Sequence, residues 1–117
     1  MSITRRQSNQ RMSQVVIHDR IAYLAGQVAS GAPGASVAEQ THDILNRIDQ
    51  LLAEIGTEKS KLLTASVWLA DIGRFKEMNQ VWDAWVAPGN PPARACVEAK
   101  LAGPQYTVEI MVTAAPA

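Results

Sequence analysis

From Pro91 to Ala114 polar and apolar residues alternate, and that alternation constrains the fold more than any other stretch. Pro91–Lys100 and Tyr106–Ala114 are each predicted to be a strand, because side chains on a strand point to opposite faces in turn. Leu101-Ala102-Gly103-Pro104-Gln105 joins them. Its Gly-Pro turn signal and short length predict an antiparallel hairpin, although neighbours in sequence need not pair. On the first strand Arg94, Cys96 and Glu98 share one face, and Ala95, Val97 and Ala99 the other. On the second, Thr107, Glu109, Met111 and Thr113 lie opposite Val108, Ile110 and Val112. The small and branched sides are expected to pack under helices. The other sides carry an Arg and a Glu, whose full burial is costly unless they are paired.

The chain ahead of these strands supplies the helices. Residues 1–11 are polar and are read as an extended arm. Ser13–His18 and Arg20–Gly26 read as two strands with a tight turn near Asp19. Gly26-Gln27 ends the second, and a glycine there permits close backbone approach to another chain or a ligand. Ser30–Ala35 is a loop by its Gly and Pro content. Ser36 and Glu39 have the spacing of a capping box, so a helix is expected from about Val37 to Ile55, stopping at Gly56. Val37, Ile44, Leu45, Ile48, Leu51, Leu52 and Ile55 form its apolar stripe. Leu62–Ala70 is nearly continuous in apolar and small residues, as in a strand covered on both faces. Asp71 can cap a second helix, in which Phe75, Met78, Val81, Trp82, Trp85 and Val86 follow helical spacing. Such aromatics usually serve the core; Trp85, near the loop end, suits either the core or a substrate platform. His18 and His42 have no Cys or His at metal-ligand spacing, and no metal site is expected.

The fold class that follows is α+β: a mixed, six-stranded type of sheet with two helices packed on one face. The uncovered face carries Cys96, Met111 and small residues among its charges, which suits association with copies of the same chain. A length of 117 residues fits one domain spanning 1–117. Zero net charge leaves no basic excess for phosphates, so nucleic acid is not the expected partner. A single cysteine points to a reducing compartment. The N-terminus does not read as a secretory signal, and no membrane-spanning segment is evident, so a cytoplasmic location is expected.

The charged pair carries the chemistry. Arg94, just after Pro91-Pro92, is placed to hold a carboxylate through two parallel hydrogen bonds. Glu109, expected across the same cleft, can orient or deprotonate a water. The plainer alternative is that the two pair with each other or with solvent.

Pro92-Ala93-Arg94-Ala95-Cys96-Val97-Glu98, together with Val108-Glu109-Ile110, resembles the C-terminal signature of the Rid (reactive intermediate deaminase, or YjgF) family. Gly26-Gln27-Val28 is similar to the family's Gly-Gln turn, and the resemblance runs from about Met12 to Ala114. It implies a homotrimer of a chorismate-mutase-like α+β fold with clefts between subunits. It also implies cofactor-free hydrolysis of 2-imino or enamine acids, intermediates that damage other enzymes, to 2-keto acids and ammonia. On this resemblance Arg94 holds the substrate carboxylate, the Cys96 backbone faces the substrate, Glu109 positions water, and Gly26 and Gln27 line the cleft. Trp85 is counted among the lining residues. So are Met12, where a tyrosine is common, and Ala25, where a serine is common, and these two changes imply an altered substrate preference. The Cys96 thiol has no paired base and reads as structural. A second hypothesis is a non-catalytic trimer that senses a small carboxylate such as a 2-keto acid through Arg94. A third, an RNA-directed role, is disfavoured by the charge and by the scarcity of Phe and Tyr.

Overall fold

The computed structural model describes residues 2–116; Met1 and Ala117 lie outside it. Its strands are β1 (Thr4–Ser8), β2 (Ser13–His18), β3 (Ile21–Leu24), β4 (Gln27–Val28), β5 (Leu62–Leu69), β6 (Ala93–Glu98) and β7 (Val108–Ala114). The helices are α1 (Val37–Glu54) and α2 (Phe75–Trp85), with short 3₁₀ turns at Lys59–Lys61 and Ile72–Arg74. All strands share one mixed sheet in the order β1-β2-β3-β7-β5-β6, with β4 alongside β7. Only β5 and β6 run parallel.

α1 forms where its caps and its stripe agree. Ser36 Oγ accepts the Glu39 amide at the N-terminus. At the other end Gly56, at φ +77°, lets its own amide reach the Ala53 carbonyl and the Thr57 amide reach Leu52, a Schellman closure. The stripe from Val37 to Leu52 is buried against the sheet residues Val67, Ile110 and Val112. Gln40, fully buried within that stripe, is satisfied at both ends of its amide. Its Nε2 donates to the Ala35 and Gln105 carbonyls and its Oε1 accepts from the Thr107 amide. One side chain thereby ties α1 to the link that leads into β7.

The expected hairpin between the last two strands does not form. β5 lies between them, parallel to β6 and antiparallel to β7. The β6–β7 link must therefore cross the end of β5, and it is held there by Ala99 N to Leu69 O and by Ala70 N to Thr107 O. β5 takes the middle position with both edges paired, but it is covered on one face only: Ala65, Val67 and Leu69 are buried, whereas Thr64, Ser66 and Trp68 are exposed or half-buried, so the expected cover on both faces is not found among the described residues.

The faces of β6 are also reversed from expectation. Arg94, Cys96 and Glu98 stand in register with Ala65, Val67 and Leu69, which belong to the helix-covered core, while Val97 is 51% exposed on the other side. The reason is α2, which offers two aromatic rings and an amide to Arg94, so this side accepts a guanidinium. On β7 the expectation holds: Val108, Ile110 and Val112 are buried.

The polar arm is a strand. β1 pairs antiparallel with β2 from Thr4↔Ile17 to Ser8↔Ser13, and all five of its residues are exposed. Its turn is closed by Asn9 Oδ1, which accepts from the Arg11 and Met12 amides. β2 returns to β3 through Asp19 and Arg20, both left-handed at φ +50° and +67°, a two-residue turn of the type that matches strand twist. The sheet face away from the helices exposes Tyr23 and Met111, beside a hydrogen-bonded pair of threonines, Thr64 and Thr113.

Candidate active site

Glu109 belongs to the uncovered face. It stands on β7 opposite Val28 of β4, in register with Trp68 of β5. Gly26, just before β4, lies so close to it that a Cβ there would overlap the Glu109 carboxylate. The approach is fixed from behind by Gln27, which is buried. Its Nε2 donates to Gln14 Oε1 at 2.8 Å and to the Ala25 carbonyl at 3.0 Å, while the Ala25 amide donates to the Gln14 carbonyl at 2.9 Å. Among the described residues no donor meets the Glu109 carboxylate, and burial pushes its pKa above the ordinary glutamate value. Met12, Gly26 and Gln27 border one polar recess of about 400 Å³, whose floor includes Leu51 of α1. Ala25 sits at its edge, tied to Gln14.

Arg94 belongs to the other face. Its Nη1 donates to Asn79 Oδ1 at 2.8 Å, and its guanidinium carbon lies 5.1 Å from the centre of the Trp82 ring and 5.9 Å from that of Phe75. Two rings and one amide hold the cation without neutralising it, and no carboxylate pairs with it among the described residues. Cys96, two residues on, is partly buried. Burial raises its thiol pKa and the neighbouring Arg94 lowers it, burial having the larger effect. A thiol held protonated is a poor nucleophile. Glu98 is engaged elsewhere, accepting from the Ile72 amide.

The expected residues are thus gathered as two half-sites rather than one cleft. Gly26 and Glu109 meet in the first, next to Ala25 and Gln27, and Arg94 with Cys96 make the second; Met12 shares with Gly26 and Gln27 a recess against α1 that Glu109 does not line. Trp85 joins neither. It sits between α1 and α2 with its indole Nε1 donating to Asp49 Oδ2 at 2.9 Å, and borders a separate groove. The sequence reading passed over Asn79, which lies with Phe75 and Trp82 on one face of α2 at helical spacing. A polar residue inside an otherwise aromatic stripe was the available signal.

A partly buried carboxylate on one sheet face and an aromatic-backed arginine on the other, on a mixed sheet under two helices, make a small α+β protein, and the comparisons place it in the YjgF, or Rid, family. A family model described as "Endoribonuclease L-PSP" matches residues 3–116, and the chain belongs to that family. It is 47% identical over 114 residues to a RutC family protein of Haemophilus influenzae, across 97% of this chain and 98% of the relative. The crystal structure of a YjgF-family member from Neisseria meningitidis is 46% identical, with a TM-score of 0.95 over 100% of this chain and 97% of that one. A rat protein named 2-iminobutanoate/2-iminopropanoate deaminase is 32% identical over 112 residues, covering 89% of this chain and 80% of the relative. The fold is the chorismate-mutase-like fold of these structures. Among the described residues no helix is long and apolar enough to cross a membrane.

Proposed function

We propose that the protein hydrolyses reactive 2-imino acids, and the enamines in equilibrium with them, to 2-keto acids and ammonia in a reducing, cytoplasmic compartment. The reading rests on one observation above all: Glu109 is an unpaired, partly desolvated carboxylate pressed against a glycine, a geometry suited to holding a water. The name of the rat relative supports it.

In this mechanism Arg94 binds the substrate carboxylate through its free N–H groups while Asn79 retains its Nη1. Glu109 accepts a proton from water as the water oxygen bonds to the C=N carbon, and the C=N π electrons move to nitrogen. The proton is passed to that nitrogen, giving a tetrahedral 2-amino-2-hydroxy acid. The hydroxyl proton then passes, by way of the Glu109 carboxylate, to the amino nitrogen as the C–N bond breaks, so that ammonia leaves and the keto carbonyl forms. A protonated imine is already electrophilic, so positioning supplies most of the catalysis. Cys96 stays a thiol and contributes its backbone.

Because the two half-sites face opposite ways, the working site is assigned to a homotrimer in which Arg94 and Cys96 of one chain meet Gly26 and Glu109 of the next. Met12 and Ala25 make the cleft less polar than a Tyr and a Ser, and so shift substrate preference towards apolar side chains. The second reading, a trimer that only senses a 2-keto acid, draws on the same caged Arg94.

The test generates 2-imino acids with an amino-acid oxidase and traps survivors with semicarbazide. Suppression of trapping by the wild type but not by Arg94→Ala supports the deaminase. No suppression with any of several imino acids, alongside saturable binding of 2-keto acids, favours the sensing trimer.

A further inference from the structure

α1 and α2 leave between them a groove of about 420 Å³, open to solvent and separate from both half-sites. Leu45, Val81, Ala84 and Trp85 make its apolar floor. Trp85 is anchored by the Nε1 bond to Asp49, which fixes the ring in the wall. Lys59, from the 3₁₀ turn ahead of β5, closes one end with Nζ 5.2 Å from the centre of that ring. His42 stands at the rim, its Nδ1 3.3 Å from Asn46 Nδ2.

The charge of the groove is one-sided. No Asp or Glu borders it, and Lys59 forms no ion pair among the described residues. Asp49, outside the lining, is occupied by the indole. One fixed cation beside an aromatic and aliphatic floor complements a single negative charge attached to an apolar body. A lone lysine does not match a polyphosphate, which takes several cations or a helix N-terminus. The volume lies within the range of small-molecule sites. The length excludes a docked helix: His42 to Asn46 covers about 6 Å of α1, whereas a helical peptide anchored through i and i+7 needs about 10 Å.

We infer that this groove is a second small-molecule site, for a monocarboxylate with an aryl or branched alkyl body, its carboxylate on Lys59 and its body against Trp85 and Val81. The site is independent of the deaminase reading, since it uses none of Arg94, Cys96, Gly26 or Glu109.

The test is titration of the full-length protein with 3-phenylpropanoate, and separately with neutral 3-phenylpropan-1-ol, followed by amide and indole NMR. The Trp85 indole signal is assigned by Trp85→Phe. The expected result is saturable shifts of the Trp85 indole and the Ala84 amide, unaffected by Arg94→Ala. Lys59→Gln weakens the acid about fivefold, the size of one exposed charge pair, and leaves the alcohol unchanged. Val81→Glu abolishes binding of the acid. Shifts confined to the Arg94 and Cys96 amides, equal affinity for acid and alcohol, or no saturation below about 10 mM overturn the proposal. Loss of imine hydrolysis has no bearing on these shifts, so the two readings fail separately.

Discussion

Arg94 and Glu109 stand on opposite faces of one sheet, with β5 between the strands that carry them. A single chain therefore cannot close both groups on one ligand. In the proposed trimer each copy offers Arg94 on one side and Glu109 on the other, and the Arg94 of one copy meets the Glu109 of its neighbour.

Mixing variants tests this division. Arg94→Ala and Glu109→Gln are each expected to be nearly inactive. Unfolded together in equal amounts and refolded, they assemble sites that combine an intact Arg94 with an intact Glu109. Random assortment restores about a quarter of wild-type activity. Mixed assemblies confirmed by native mass spectrometry but no more active than either parent would rule out the shared site.

Burial of Glu109 predicts two pH effects. In the proposed mechanism hydrolysis needs the carboxylate, so the acid limb of the rate profile is expected above the ordinary glutamate value. For stability the sign is opposite. A folded pKa raised above the unfolded one means stability is greatest below the unfolded pKa and falls as pH rises through the folded one. At neutral pH Glu109→Gln therefore melts higher than the wild type, and the difference closes in acid. Calorimetry of both proteins across that range provides the check, and a gap independent of pH counts against it.

Gly26→Ala separates catalysis from folding. Gly26 has no positive φ, so the added methyl strains only its contact with the flexible Glu109 side chain. The carboxylate must move while the backbone stays. Activity is expected to fall about ten- to a hundredfold with little change in melting temperature. A crystal structure of the variant with Glu109 unmoved would contradict the account.

Gln40 carries an energetic prediction. Gln40→Leu preserves volume but leaves the Thr107 amide and the Ala35 and Gln105 carbonyls without their partner. The cost is about 2–4 kcal/mol, measured by urea denaturation. A loss under about 0.5 kcal/mol shows that water replaces the amide freely.

The turn between β2 and β3 can be improved. Arg20 holds a left-handed backbone that suits glycine, so Arg20→Gly is expected to stabilise by about 0.5–1 kcal/mol. The same denaturation measurement decides it, and a neutral or destabilising result implicates the Arg20 side chain itself.

Which elements could be read beforehand follows from where their signals lie. α1 was legible because cap, stripe and stop are all local: Ser36, the Val37–Leu52 stripe and Gly56. β7 was legible by alternation. β1 was not, because Thr-Arg-Arg-Gln-Ser has no apolar face and pairs through its backbone alone. Alternation in β6 separated Arg94 from Val97 correctly but could not say which of them met a helix. That depends on α2, whose Asn79, Phe75 and Trp82 make room for a cation. The chemistry proposed for Arg94 and Glu109 draws on their residue types. Their separation across the sheet was not legible, since it depends on β5 sitting between two strands that are consecutive in the chain.

The strand order has a further consequence. β1 and β6 are the outermost strands, each with one unpaired backbone edge within the chain. Such an edge is a template on which fibrils grow. Here one margin carries Arg5 and Arg6, while the other follows Pro91-Pro92 and holds Arg94 and Glu98. Charge and proline guard both borders, so the chain can expose a broad uncovered sheet face without seeding endless strand-on-strand growth.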